Sequence, residues 1–410
     1  MKAKTAIFAG LLAALTVGCG ERDVILTGER SEIREGMAPF VNQVAPVNDA
    51  VPRVNAAWSQ RNGGPDHKIA HPALAANLTQ VLAVNIGEGD SRRARITAEP
   101  VVAGGVIYTL DARARVTATA TSGAPVWAVD VTPGRDRATD ASGGGVSVAG
   151  GRVFVTTGFG ELTALDAATG RALWTQDLDA PGTSAPTILG DLVYVVARNS
   201  TAWALDVNTG RTEWQISGTP SVANFGGGAG VAVNDDIALF PFSSGERSGQ
   251  AATVVSDISA DPVISGDRAY VGNFGGQLAA LDLAKGERIW TAREGAMGPV
   301  WPAGNAVFLV NDLNQLVRLN AATGAPVWRV DLPQTEQSNR KRAKAANYGP
   351  ILAGGRLIVA SSLGNLLHYD PTSGALIATT PIAGGAATNP VVAGGTLYVI
   401  SKEGQLLAFR

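Results

Sequence analysis

The sequence predicts an all-β fold: an eight-bladed β-propeller of four-stranded blades, its ring closed by pairing N-terminal and C-terminal segments. Three observations carry that prediction. Asp or Asn, then Gly four residues later, then Trp four after that recurs at Asp166/Gly170/Trp174, Asp206/Gly210/Trp214, Asp282/Gly286/Trp290 and Asn320/Gly324/Trp328. Upstream of the repeats lie Gly-centred turns followed by alternating apolar strands, as at residues 103–108, 149–154, 353–358 and 393–398. The composition, with 50 glycines, 45% hydrophobic and only 17% charged residues, suits many short strands joined by tight turns.

The chain opens with Lys2 and Lys4, then an apolar run over residues 5–17 that is too short to span a bilayer as a helix. It ends in Gly18-Cys19, and Cys19 is the only cysteine of the 410 residues. This reads as a lipobox: residues 1–18 are a lipoprotein signal peptide, and Cys19 becomes the N-terminus carrying acyl chains such as palmitate. With Cys19 lipidated, no thiol remains for a disulfide. Gly20 follows the cysteine, which points to the outer membrane and its periplasmic face. Residues 19–55, polar with scattered Pro and Asn, read as a flexible tether, and residues 56–410 as the propeller.

Each period reads strand, Gly turn, strand, short turn, strand, Thr-Gly turn, and a strand ending in Trp, which is one propeller blade. An Asp before Thr-Gly supplies an acceptor for turn amides and a residue free to take positive φ. Trp127, Trp174, Trp214, Trp290 and Trp328 fill the last slot, where a ring can sit between blades with its N–H near a carbonyl. Asp166, Asp206 and Asp282, with Gly170, Gly210, Gly286 and Gly324, complete the expected tryptophan-docking set. Two weaker copies are Gly123/Trp127 without the acid, and Asp370/Gly374 with Ala378 in the tryptophan slot. Blade four is irregular, because nothing after residue 242 restores the motif before blade five. Residues 389–410 supply three strands of the last blade, so residues 80–86 are expected to add its fourth and remove the free edges.

Little in the sequence suggests catalysis. His67 and His71 lie four apart, but Lys68 stands where a zinc-protease helix needs Glu, so both read as surface histidines. His368 alternates with apolar neighbours in a strand. The glycine runs at 143–145 and 226–228 lack a following Lys-Ser/Thr and read as crowded axial positions. The basic run at 340–344 reads as a solvated loop, with docking to an anionic partner as its rival. A net charge of −2 gives no field for nucleic acid.

The Ala-x-Asp-x-x-Thr-Gly-x-x-x-Trp motif resembles the tryptophan-docking repeats of pyrroloquinoline-quinone-type propellers. One branch of these, the quinoprotein dehydrogenases, binds the quinone with calcium and a vicinal cysteine pair, which a single cysteine cannot provide. The other consists of cofactor-free lipoproteins, and the chain is similar to its BamB family along nearly the whole mature sequence. The likeness takes in the lipobox, Ala57-Trp58-Ser59-Gln60, the repeats and the terminal Gln-Leu-Leu-Ala-Phe strand. The resemblance implies a non-enzymatic scaffold with no cofactor and no metal, a monomeric propeller within a complex. It implies as partners the soluble domains of BamA, the barrel-inserting subunit, and unfolded outer-membrane proteins. It places the contact at Ser256, Asp257 and Ser259, and at Ile216 and Ser217. There the chain departs from the family pattern, with Ser259 in place of a second acid and no Arg near Ile216. The alternatives are a periplasmic quinoprotein dehydrogenase, or a propeller that binds another envelope protein.

Overall fold

The computed structural model describes residues 40–182, 184–218, 228–242, 258, 260–338 and 341–410. The chain divides into two compact units, Met1–Val41 and Asn42–Arg410, and only the last two residues of the first are described. The second unit holds the propeller.

Seven antiparallel four-stranded sheets form its blades. Blade one runs from Val101–Ala103 to Pro125–Asp130, blade two from Gly144–Ala149 to Ala172–Asp177, and blade three from Thr187–Leu189 to Thr212–Ser217. Blades five, six and seven end in Arg288–Ala292, Pro326–Asp331 and Leu376–Pro381. The closing blade joins Val391–Ala393, Thr396–Ile400 and Gln405–Phe409 to Gln80–Asn85 from the other end of the chain. The predicted ring closure is therefore present. The predicted count of eight is corrected: at the fourth place the described residues form a two-stranded sheet, Ala232–Val233 with Ala238–Leu239. The sequence there lacks the Asp-Thr-Gly turn that would nucleate an outer hairpin. A further two-stranded hairpin, Thr335–Ser338 with Lys341–Lys344, is inserted between blades six and seven.

The middle strands read as nearly continuous apolar runs because each blade is covered on both faces by its neighbours. Blade two shows the internal logic. Phe154, Ala164 and Trp174 stand in register across it, and the small alanine lets the two rings meet at 5.9 Å. Blades one, three and five repeat this with Tyr108/Ala118/Trp127, Tyr194/Ala204/Trp214 and Tyr270/Ala280/Trp290. The tryptophan is third in its strand and not last, since Ala172–Asp177 continues three residues past Trp174.

Between blades the tryptophan locks onto the next Thr-Gly turn. The indole N–H groups of Trp127, Trp174, Trp290 and Trp328 donate to the carbonyls of Ala167, Val207, Ala321 and Pro371 at 2.9, 3.2, 2.9 and 3.3 Å. Each acceptor directly follows the Asp or Asn of the receiving motif. The same rings cover the turn glycines of that motif. A Cβ on Gly210 would come within 2.5 Å of Trp174, and its φ is +71° besides. Only glycine satisfies both constraints. The turns form as expected, with Asp166 Oδ1 accepting from the Thr169 amide and hydroxyl at 2.9 and 2.7 Å.

The docking set expected from the sequence holds with two corrections. The first concerns pairing: the glycine and tryptophan of one motif do not meet each other. Gly170 is covered by Trp127 and Gly324 by Trp290, where an added Cβ would stand 2.8 and 2.5 Å from the ring of the preceding blade. The second removes Gly286 from the set. The sheet before it follows a stretch, residues 218–262, that contains no tryptophan, so no ring comes across from that side. Gly286 serves its own turn alone, at φ +67° with its N–H donating to Asp282 O at 2.8 Å.

The segment before the first blade is built into the ring. Its carbonyls and one side chain cap the inner strands in succession around the axis. Trp58 exchanges two backbone bonds with Val102 at 2.8 and 2.7 Å, and Val148 N–H donates to Ser59 O at 2.8 Å. Ile188 exchanges two bonds with the Gln60 amide at 2.8 and 2.9 Å. Val233 and Ile264 donate to Pro65 O and Asp66 O at 2.7 and 2.9 Å. All five occupy the same register position, one residue before the inner strand ends. Blade six has Pro302 there, which has no N–H to satisfy. An inner strand has a free edge at the axis, and a buried unpaired N–H is costly. This strap supplies the acceptors. Residues of the expected tether are bonded too: Gly394 N–H donates to Asn55 O at 2.8 Å, and Gln43 N–H to Val327 O at 2.9 Å.

Candidate interaction surface

The residues the sequence singled out for partner contact gather around the two-stranded sheet. Ile216 and Ser217 end the outer strand of blade three, paired with Ala202 and Thr201. Ile216 is 50% exposed, whereas the matching positions of blades two and five are Gln176 and Ala292. Ser256, Asp257 and Ser259 lie outside the described residues, as does Cys19. Between Ser256 and Ser259, Ile258 packs against Val271, Ala279 and Leu281 of blade five. That places this segment at blade five, and Ile216 on blade three.

What lies between differs from every other seam. Trp214 meets no Thr-Gly turn, and its ring contacts Phe240 edge-on at 5.5 Å and Tyr194 at 6.2 Å. No carbonyl of a described residue accepts from its indole. The short sheet is held from inside, where Thr187 Oγ1 donates to Val231 O at 2.6 Å and Gly230 N–H donates to Asp261 Oδ1 at 2.5 Å. Asp261 is the centre of a buried polar knot. Arg61 of the strap donates to Asp261 Oδ2 through Nε and Nη2, both at 2.8 Å. Burial opposes the Arg61 charge, but Asp261 and Glu99 outweigh it and hold its pKa above the ordinary value. Glu99 accepts from Asn62 N–H at 2.6 Å, and burial pushes its carboxyl up against the pull of Arg61.

The histidines correct the expectation of a solvated segment. His67 and His71 are both buried. His67 Nδ1 donates to Pro262 O at 2.7 Å, and burial holds its pKa below the ordinary value despite Asp261. Gly355 N–H donates to His71 Nε2 at 3.0 Å, and Asp49 lies 3.0 Å from His71 Nδ1. These residues, with Arg61, Glu99 and Asp261, were missed as a group. Their only signal in sequence was the Ala-Trp-Ser-Gln stretch just upstream.

Beyond the strap, the axis opens into a polar cavity of about 540 Å³ lined by Arg95, Glu99, Lys344, Tyr348, Asn389 and Lys402, among others. Burial, reinforced by Asp90, pushes the Tyr348 hydroxyl up to about 12. The residues present do not fit the quinone and calcium of the dehydrogenase branch. A single cysteine cannot form the vicinal pair. Among the described residues no three His, Cys, Asp or Glu side chains converge as metal ligands. The strap's Arg61 and Glu99 line this cavity and are already engaged by Asp261 and Asn62.

The sequence pattern of the family described as outer membrane protein assembly factor BamB matches residues 112–330 and 313–410. The chain is 26% identical over 312 residues to outer membrane protein assembly factor BamB of Shewanella oneidensis, covering 70% of this chain and 77% of that protein. Its fold is similar to that of BamB from Moraxella catarrhalis, with a TM-score of 0.66 and 21% identity over 82% of this chain and all of the other. A quinohemoprotein alcohol dehydrogenase from Pseudomonas putida shares the fold more distantly, at a TM-score of 0.53 and 14% identity, covering 87% of this chain and 80% of the other. By the span of the matched pattern, the chain belongs to the outer membrane protein assembly factor BamB family.

Proposed function

We propose that this chain is a non-enzymatic scaffold of the outer-membrane β-barrel assembly machinery, anchored by lipid on Cys19 in the outer membrane and facing the periplasm. The observation that carries this reading is the family match along most of the chain, joined to a lone cysteine at the end of an apolar leader. The ring orients the soluble domains of a BamA-like partner. Unfolded outer-membrane proteins pair transiently with its outer strand edges. The partner contacts Ile216 and Ser217 on one side of the two-stranded sheet and the segment bearing Ser256, Asp257 and Ser259 on the other. An exposed isoleucine beside an acid offers an apolar anchor with a charged rim, the usual make-up of such a patch.

Affinity capture of the tagged full chain from detergent-solubilised envelopes tests this. Recovery of a BamA-like barrel protein is expected. Ile216→Asp or Asp257→Arg should cut that recovery at least tenfold without altering the circular dichroism spectrum. Capture of no barrel protein sinks the scaffold reading. Dye-linked alcohol oxidation on adding the quinone with calcium would replace it with the dehydrogenase.

A further inference from the structure

The expected tether is seated on blade six in a defined direction. Gln43 N–H donates to Val327 O at 2.9 Å, and the Asn42 amide brackets Arg329, donating to its O and accepting from its N–H, both at 2.9 Å. Arg318 fixes the next residues, donating to the carbonyls of Ala45 and Pro46. It occupies the position that is alanine in blades one, two, three and five, and it is almost fully buried. Followed backwards, the chain passes from the Thr372 turn of blade seven to Val327 and then Arg329. It therefore leaves the ring towards the Asp331 end of that outer strand.

At that same end the strand runs on into the inserted hairpin, Thr335–Ser338 with Lys341–Lys344. The base of the hairpin is fastened to blade six. Gln334 Nε2 donates to Leu313 O and Asn314 O at 3.4 and 3.3 Å, and the side chains of Asn314 and Asn347 donate to Pro333 O at 3.0 and 2.9 Å. Residues 335–344 include Arg340, Lys341, Arg342 and Lys344 against one acid, Glu336, in a chain whose net charge is −2.

We infer that this hairpin binds anionic phospholipid headgroups and turns its end of blade six towards the membrane beside the lipid anchor. The inference rests on the anchor reading above. The leash from Cys19 to Asn42 reaches about 80 Å when extended, so acyl chains alone leave the ring free to face any way. A lipid joined to a basic cluster is the pairing that fixes a protein on a surface. The anchor's exit and the basic residues share one end of one blade.

The test uses the full chain carrying Cys19→Ser, sedimented at low ionic strength with vesicles containing phosphatidylglycerol or phosphatidylcholine alone. Retention on the anionic vesicles is expected, falling on the order of 10- to 100-fold when Lys341, Arg342 and Lys344 are all replaced by Gln. A fluorophore on Ser338→Cys should be quenched by headgroup-bound quencher more than one on Thr323→Cys, at the other end of the same blade. Equal retention of the two chains, equal binding to both vesicles or equal quenching overturns the inference. Loss of a co-purifying envelope protein with unchanged vesicle binding assigns the hairpin to an acidic protein instead. Because this chain lacks Cys19, the result stands apart from lipidation, which the mass of the mature N-terminal peptide decides separately.

Discussion

The seam between blades two and three and the seam that follows it start from the same motif and end differently. Trp174 lies on Gly210 and donates to Val207 O. Trp214 has the same neighbours within its own blade, but the next sheet offers no Thr-Gly turn, so it stacks among Tyr194 and Phe240. The lock is therefore a property of two blades, a tryptophan on one and a turn on the next. Gly286 is the converse case, a formed turn that follows a sheet with no tryptophan to give. The same rule explains the exceptions at ring closure. Blade seven carries Ala378 in the tryptophan slot because the closing blade, whose outer strand comes from the other end of the chain, has no turn to receive a ring. The closing blade in turn presents Leu82, opposite Ala408 and 2.5 Å from where a Cβ on Gly123 would stand.

The strap spans both kinds of seam, so damage to it should be the most severe. Trp58 is fully buried and stacks on Trp301 with ring centres 6.3 Å apart. Trp58→Ala should lower unfolding free energy by about 3–5 kcal/mol in urea titration. A loss below about 1 kcal/mol would show that the ring stands without its axial cap.

The two seams can be set directly against each other. Trp174→Ala removes the ring, its seat on Gly210 and the indole bond, and should cost about 3–4 kcal/mol. Trp214→Ala removes a half-buried ring without that bond and should cost about 1–2 kcal/mol. Equal losses would mean that the interblade lock adds nothing to burial.

Arg318 extends the comparison to a third kind of contact, between a blade and the incoming chain. Arg318→Ala restores the residue that four other blades carry and deletes the bonds to Ala45, Pro46 and Pro371. A loss of about 2 kcal/mol is expected, with faster hydrogen exchange at the amides of Gln43 and Ala45. Unchanged exchange would detach Arg318 from the seating of that segment.

The blades were legible because their information is local. An Asp that caps its own turn, a Gly at positive φ and a Trp eight residues after the Asp all lie within one hairpin. Which ring meets which glycine was less plain, because Gly170 and Gly324 are met by rings about 40 residues upstream. The strap was not legible, because its role is set by register with strands far along the chain. Nothing around Gln60 signals that Ile188, 128 residues away, presents an N–H to its side chain. Arg318 was hidden for the same reason. In sequence it reads as an exposed charge on an alternating strand, and only the carbonyls of residues 45–46 make its burial tolerable. The fourth blade was half legible, since a missing motif marks irregularity without stating what is left.

The smallest expected effect concerns the middle position of blade seven, where the alanine of other blades is His368. Arg356 Nε donates to His368 Nδ1 at 3.0 Å, so that nitrogen must be the acceptor, and Nε2 carries the proton towards Thr380 Oγ1, also at 3.0 Å. Burial first, and then the Arg356 charge, lower the pKa from 6.5 to about 4. The unfolded imidazole therefore takes up its proton at higher pH than the folded one. The stability contribution is complete above about pH 6.5, falls as pH drops towards 4, and is flat below that. It should amount to about 1–2 kcal/mol after allowance for solvent screening. Asp166 and Asp206, held below the usual carboxylate range by Thr169 and Thr209, lose their contributions only as pH falls below 3.8. The two windows thus separate. Urea midpoints measured from about pH 7 to 4 should fall more steeply for the unaltered chain than for His368→Ala, and parallel slopes would remove His368 as the group that titrates there.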